Sequence, residues 1–441
     1  MAFEWMAPLM FVGLVAFLLS GFPVAFSLAA NGLLFAFIGI QMGFFEFSLL
    51  QALPDRIFGI MSNATLLAIP FFTFMGLILE RSGMAEELLD TMGQLFGALR
   101  GGLAYAVILV GALLAATTGV VAASVIAMGL ISLPIMLRYG YDKRLAAGVI
   151  AASGTLAQIV PPSLVLIILA DQLGVSVGNM YRGAMAPALV LTVFYLGFVL
   201  LVTLFKPGFA PSMPTEARNL HGAALFAKAM ATMLPPLVLI FLVLGTIFLG
   251  VATPTEGGAM GAVGALALAL AKRRLSLDLL KQAMNSTTKL TSFVIFILIG
   301  STVFSLVFRG VDGDRWVEGL LTALPGGELG FLVVVNILVF LLAFFLDFFE
   351  IAFIIVPLLA PVAAALGIDL IWFGVLLGIN MQTSFMHPPF GFALFYLRSV
   401  APKEVRTTDI YWGAIPFVLI QIIMVAVVLA FPGLVSLFQR G

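Results

Sequence analysis

The chain contains no cysteine. That excludes a disulfide framework, a thiolate metal site and a cysteine nucleophile. It has only two histidines, His221 and His387, far apart in sequence, which argues against a histidine-rich zinc, haem or proton-relay centre. Charge is scarce too: 10% of the 441 residues are charged, against roughly 25% in a soluble domain. The first residues, Met1-Ala2-Phe3-Glu4-Trp5, lack the basic region that opens a cleaved signal peptide, so the first apolar run is expected to stay as a membrane segment. Lysine plus arginine balances aspartate plus glutamate at 21 each, which leaves no strongly basic face for nucleic acid.

What is present is apolar surface. Hydrophobic residues make up 62% of the chain, and so few charges cannot cover a water-soluble protein of this size. The composition therefore points to an all-α polytopic membrane protein. A bilayer core about 30 Å thick needs ~20 apolar residues per helix. Clear runs fall at 6–20, 23–41, 65–80, 184–205, 229–250, 256–271, 289–308 and 410–432. Segments 84–99 and 275–288 are amphipathic and are expected along the interface.

Two longer stretches, 102–170 and 329–399, are almost wholly apolar but broken by Gly, Pro, Thr, Ser and a few charges. Unwound backbone at membrane depth is tolerated only where protein buries it or it lines a wet cavity. Pro134, Gly140, Asp142 and Pro161-Pro162 recur as Pro361, Gly367, Asp369 and Pro388-Pro389, all at an offset of 227. Paired interrupted segments in two halves of a membrane chain mark the binding region of a secondary transporter. Each stretch is read as a re-entrant hairpin (102–138 and 329–367) followed by a broken helix (142–170 and 370–399). The halves are then 1–206 and 229–441, joined by a cytoplasmic connection at 207–228 that carries Pro207, Pro211 and Pro214. This topology puts fifteen basic residues, Arg138, Lys143, Arg144, Lys206 and Arg406 among them, on one side, and five, including Arg56, Arg309 and Arg315, on the other. The bias marks the first side as cytoplasmic, makes the repeats inverted and gives about 11 spans with both termini outside.

Inside the first stretch, Thr117-Thr118-Gly119 forms the expected hairpin tip, with two hydroxyl oxygens. Ser153-Gly154-Thr155-Leu156-Ala157-Gln158 precedes Pro161-Pro162-Ser163. Two prolines cannot continue a helix, and the residue before them is pushed out of the α region. The opened carbonyls with Ser153, Thr155 and Gln158 make a set of hard oxygen donors suited to Na⁺, and the new helix start near Pro161 suits a carboxylate. In the second stretch Asp347 and Glu350 are carboxylates deep in apolar sequence, which cost several kcal/mol, about 2.5 upward, unless they face a cavity or a partner. Asn380, Gln382, Thr383 and His387 precede Pro388-Pro389, with Asn380 opposite Ser153 and Gln382 opposite Thr155. Na⁺ is accordingly expected near Thr118, Ser153, Thr155, Asp347, Asn380 and Gln382. A competing account exists for each: membrane threonines bond back to their own helix, paired prolines can be a bare kink, and a lone histidine is most often a structural residue. Thr255-Glu256 after Pro254 reads as a helix start with its acid at the positive end, a structural role when taken alone.

These residues resemble the large membrane subunit of a tripartite ATP-independent periplasmic (TRAP) transporter. The likeness runs through Leu67-Ala68-Ile69-Pro70-Phe71-Phe72, Tyr139-Gly140-Tyr141-Asp142, Pro161-Pro162-Ser163, Ala252-Thr253-Pro254-Thr255-Glu256 and Pro388-Pro389-Phe390-Gly391, over essentially the whole length. Gln382-Thr383-Ser384-Phe385 and Phe390 to Tyr396 resemble the branch labelled for mannitol or chloroaromatic compounds. The resemblance implies an elevator-type fold, Na⁺-driven uptake of a small organic acid, a separate small four-helix membrane subunit, a periplasmic substrate-binding protein, and a bacterial inner membrane. It implies no enzyme activity and no covalent cofactor, with Na⁺ as the coupling ion. It assigns ion-binding regions to Thr117–Gly119, Ser153–Gln158, Asp347 and Asn380–Thr383, and maps an acid of the family onto Glu256. Two departures stand out: many relatives carry Gly-Ser-Ser at the first tip where this chain has Thr118-Gly119-Val120, and a usual threonine is replaced by His387. Alternatives are a stand-alone carboxylate transporter and an intramembrane hydrolase. The latter would need a His-Glu-x-x-His or paired-aspartate signature, which is not present.

Overall fold

The computed structural model describes residues 5–218 and 222–439, leaving aside the side chains of Thr117 and Thr118. His221 and Arg440 fall outside the described residues. Among those described there is no β-strand. The first half opens with α1 (Met6–Leu19), α2 (Val24–Gln41), α3 (Leu53–Met61), α4 (Ala68–Arg81) and α5 (Met84–Phe96). Then come α6 (Gly102–Thr118), α7 (Val121–Arg138), α8 (Lys143–Thr155), α9 (Leu164–Leu173) and α10 (Val177–Phe205). The second half has α11 (Gly222–Phe248), α12 (Pro254–Ala271), α13 (Leu277–Gly310) and α14 (Gly313–Thr322). It continues with α15 (Gly327–Leu342), α16 (Phe348–Glu350) running through a π-turn at Ile351–Ile355 into α17 (Val356–Ala365), α18 (Leu370–Gln382), α19 (Phe392–Val400), α20 (Thr407–Ala430) and α21 (Gly433–Ser436).

Among the described residues, seven helical runs are long and apolar enough to cross a membrane: α2, α7, α10, α11, α13, Phe348–Ala365 and α20. The pair α14–α15, bent by 115°, makes an eighth if counted as one span. The apolar helices α1, α6, α9 and α18 are each shorter than a single crossing requires. The segment 275–288 is not a separate interfacial helix. It is the first part of the 34-residue α13, because no glycine or proline interrupts the sequence between Leu277 and Gly300. The amphipathic α5 does stand alone, started by the left-handed Gly83.

Two packing groups are visible. In one, α2 and α4 lie along α13, and α12 lies along α4. The α2–α13 crossing is close: a Cβ on Gly300 would sit 2.3 Å from the carbonyl oxygen of Ala25, and one on Gly32 would sit 3.0 Å from the Phe304 backbone. Such contacts bring backbones together where lipid offers no hydrophobic driving force. Ion pairs lock the cationic end of this group. Glu87 of α5 pairs with Lys272 and Arg274 beyond α12, and Asp90 with Lys228 of α11 at 3.2 Å. In the other group, α8 packs on α6, α7 and α20, and α18 packs on α9, α10 and α20.

The repeat is built into the helix starts. α7 and α16 begin at 121 and 348, and α8 and α18 at 143 and 370, each pair 227 apart. Asp142 caps α8 by accepting from the amides of Arg144 and Leu145, both at 3.0 Å. Asp369 caps α18 in the same way, accepting from Ile371 and Trp372 at 2.7 and 2.9 Å. Before each cap a glycine, Gly140 or Gly367, takes the left-handed conformation (φ +81° and +76°) that ends the preceding helix. Both Pro161-Pro162 and Pro388-Pro389 are cis. The connection after α10 is not a free linker: Phe209 accepts from the Asp142 amide (2.9 Å), Ala210 from Gly101 (2.8 Å), and Met213 donates to Gly97 (2.8 Å). It straps the base of the α6–α7 pair.

Candidate functional site

Both broken helices open where their prolines require. α8 tightens into a 3₁₀ turn at Leu156–Gln158, and α9 restarts with Ser163 as its N-cap. The Ser163 hydroxyl donates back to the carbonyl of Gln158, spanning the break. Equivalently, α18 tightens at Thr383–Phe385 and α19 restarts after Gly391. The hydroxyls of Ser153, Thr155 and Thr383 donate to carbonyls of their own helices, at 2.6, 2.8 and 2.6 Å. This is the back-bonding that makes a membrane threonine bland, yet it leaves each hydroxyl oxygen with an acceptor lone pair.

That spare acceptor is used at Thr155. Gln382 donates to its Oγ1 at 3.1 Å, and Gln421 of α20 points its amide to the same oxygen (3.4 Å) and to the Tyr195 hydroxyl of α10 (2.9 Å). All four side chains are buried. The broken helices thus meet at equivalent positions of the repeat, braced by one polar residue from each of α10 and α20. Asn380 donates to Asn336 of α15, reaching both its backbone and side-chain oxygens at 2.8 and 2.9 Å, which ties the second break to its hairpin arm. The side-chain oxygens of Gln158, Gln382 and Gln421 are buried without a hydrogen-bond partner. The Gln158 amide nitrogen is buried without a partner as well, so this side chain has both a donor and an acceptor free within the break.

A hairpin tip lies against each break. Gly119 links α6 to α7 in the left-handed conformation, and a Cβ there would stand 3.3 Å from the Pro162 carbonyl. Gly154 packs under Val125 of the same hairpin. Thr117 and Thr118 flank this tip, but their side chains lie outside the described residues. At the second tip Asp347 and Glu350 form a reciprocal capping box. Asp347 accepts from the Glu350 amide at 3.0 Å, and Glu350 from the Asp347 amide at 3.1 Å. Phe348 places this tip 5.9 Å, ring to ring, from Phe385 in the second break. His387 is buried and stacks on Phe344 (4.1 Å) with Phe340 edge-on (4.5 Å), so its ring fills the corner between break and hairpin.

Glu256 stands elsewhere. It closes a capping box with Thr253 at the start of α12 (2.8 Å to the amide), and its neighbour Thr255 donates to the Ala64 carbonyl at 2.6 Å. It is a helix cap in the first packing group, away from both breaks. Among the described residues, no three His, Asp or Glu side chains gather as a transition-metal site. A crevice of about 310 Å³ opens at the seam between the two groups, lined by Arg56, Asn63, Asp171, Ser301, Arg309 and Pro357. Asn63 crosses the seam to Asp171 at 2.6 Å. Sequence reasoning passed over Tyr195, Asn336 and Gln421. A lone polar residue inside an apolar run was the available signal for Asn336 and Gln421; a buried tyrosine gives none.

Residues 11–434 match the family model described as "Tripartite ATP-independent periplasmic transporter, DctM component". The C4-dicarboxylate TRAP transporter large permease protein DctM of Pseudomonas aeruginosa is 30% identical over 383 residues, covering 87% of this chain and 88% of that protein. The sialic acid TRAP transporter large permease protein SiaM of Vibrio cholerae is 28% identical, covering 95% of each. In fold, the chain is similar to the YdaH transporter of Alcanivorax borkumensis, with a TM-score of 0.58 at 16% identity over 88% of both chains. This multi-pass membrane chain belongs to the DctM family, the large permease subunits of TRAP transporters.

Proposed function

We propose that the chain is the permease of a Na⁺-coupled importer of a small organic acid, working by an elevator movement in a bacterial inner membrane. One observation carries the reading: the broken helices meet at equivalent positions of the repeat through Thr155 and Gln382, with a hairpin tip laid on each break. Oxygens at the breaks and tips, from Thr118, Ser153, Thr155, Asp347, Asn380 and Gln382, hold Na⁺ in this account. The helix starts at Ser163 and Phe392 face the substrate carboxylate with their positive ends. The group of α6–α10 and α15–α21 moves, and that of α1–α5 and α11–α14 stays, with about eleven crossings in all.

The working complex adds a small four-helix membrane subunit and a periplasmic binding protein that delivers the acid. C4-dicarboxylates are the first substrates to test, since they name the P. aeruginosa relative. The likeness of segments 382–385 and 390–396 to the mannitol/chloroaromatic-labelled branch supports placing the chain in it. The test is uptake into proteoliposomes holding the permease, small subunit and binding protein. Uptake should rise with an inward Na⁺ gradient; equal uptake without one refutes the coupling. Uptake with the binding protein omitted would instead support a stand-alone carboxylate transporter.

A further inference from the structure

A second concavity opens on the outer side of α10 and α20. A groove of about 390 Å³ runs between α10 and α20 on the outer flank of the repeat core. Its walls are Phe198, Leu201 and Phe205 of α10 and Trp412, Pro416 and Phe417 of α20. From Phe198 to Phe205 is two helical turns, roughly 10 Å of apolar wall. The wall ends abruptly in charge: Arg144 and Lys206 stand at the mouth. Phe205 is 80% exposed and Trp412 59%, so the groove opens sideways rather than into the protein.

The cations at the mouth are under-used. Arg144 approaches Asp409 only through Nε, at 3.7 Å, longer than a hydrogen bond. The Lys206 ammonium rests 5.0 Å over the Phe209 ring, and among the described residues it has no carboxylate partner. Two acids stand beside these cations, Asp142 in the groove lining itself and Asp409, and each is held by backbone amides at a helix start. Asp142 accepts from the Arg144 and Leu145 amides, and Asp409 from the Arg406 amide. The mouth also lies on the side that the charge bias marks as cytoplasmic, where the leaflet is rich in anionic headgroups. A tryptophan at the junction of apolar wall and charged rim matches the headgroup level of a bilayer.

We propose that this groove binds one anionic diacyl phospholipid of the cytoplasmic leaflet. Its phosphate rests on Arg144 and Lys206, and one acyl chain lies along Phe198, Leu201 and Phe205. The leaflet assignment rests on the orientation given above; the contact between lipid and groove does not. The site sits on the group proposed to move, so the lipid would travel with it.

The experiment uses the full chain in phosphatidylcholine vesicles, with bromine-labelled phosphatidylglycerol or bromine-labelled phosphatidylcholine added as the quencher. The chain has four tryptophans, and Trp412→Phe supplies the background of the other three. The Trp412 component should be quenched by brominated phosphatidylglycerol at a several-fold lower mole fraction than by the choline lipid. Arg144→Gln with Lys206→Gln should erase that preference. If the double variant does not fold, Lys206→Gln alone, which disturbs no ion pair, should reduce it. Equal quenching by the two lipids, or an unchanged preference in the variants, overturns the site. So does loss of quenching when the small membrane subunit is added, because the groove is then covered by protein. No step depends on transport, so a failure of the Na⁺-coupled reading leaves this measurement standing.

Discussion

Gln382 donates a hydrogen bond to Thr155 across a separation of 227 residues, which is the spacing of the repeat itself. Each is the last residue of its half-helix before a break. The contact is therefore a residue meeting its own counterpart in the repeat. Polar groups buried here brace two interruptions against each other, where an apolar pair would let them slide.

Thr155→Val removes the acceptor shared by Gln382 and Gln421. Leaving buried amides unsatisfied costs about 1–3 kcal/mol. Thermal unfolding of the detergent-solubilised chain should register the loss, and Thr155→Ser should restore it. A double-mutant cycle with Gln382→Leu should show coupling of about 0.5–3 kcal/mol. Strict additivity would mean that the two breaks are not energetically joined.

Asp347 is both a helix cap and a candidate ion ligand, and two substitutions separate the roles. Asp347→Ala removes the cap and should cost ~1 kcal/mol of stability as well as uptake. Asp347→Asn keeps a good capping side chain while deleting the charge. It should melt within about 0.5 kcal/mol of wild type while requiring more Na⁺ for half-maximal uptake. Wild-type Na⁺ dependence in the Asn variant would restrict Asp347 to capping.

His387 touches two phenyl rings, and a packing role follows from that contact. His387→Ala should destabilise by about 2 kcal/mol or more through the cavity it leaves. His387→Phe should retain uptake with the same pH profile between about pH 6 and 8, the range where an unperturbed imidazole titrates. A profile that flattens or shifts in the Phe variant would instead make the imidazole a proton-responsive group.

Glu87 lies on the amphipathic α5, outside the spanning helices. Burial alone would raise its carboxyl, but the hydrogen bond from Lys272 and the charges of Lys272, Arg274 and Lys228 outweigh it and hold it below its ordinary value of 4.5. The sign follows from a depressed folded value: the clamp contributes fully above pH 4.5 and is lost as pH falls through the folded value. The pair is partly solvated, so the contribution is about 1 kcal/mol at most. Glu87→Gln should lower the melting temperature slightly at neutral pH, and the gap to wild type should close on strong acidification. A gap that persists at low pH would argue against the ion pairs as its source.

The membrane class, the repeat offset and the Pro-Pro interruptions were legible because each rests on a hard local constraint: desolvation for the charges, a missing amide and a fixed φ for the prolines. Asp142 and Asp369 were visible as repeat positions, and their capping role is what any aspartate before a helix does. The merger of 277–288 into α13 was signalled only by the lack of a breaker before Gly300, while the amphipathic pattern of that segment pointed to a separate helix. Tyr195 and Gln421 were missed because their role depends on helices α10 and α20 being brought beside α8. Glu256 shows the converse: its local motif was read as a helix start, and the structure uses it so, while nothing in the sequence says how far it lies from the breaks.

The strap between the halves carries a mechanical consequence. Its backbone bonds at Phe209, Ala210 and Met213 fasten it to the base of the first hairpin, and α11 belongs to the opposite group. The backbone at 209–213 is thus a collar, held at Gly97, Gly101 and Asp142 together, so an insertion within it would loosen three segments at once.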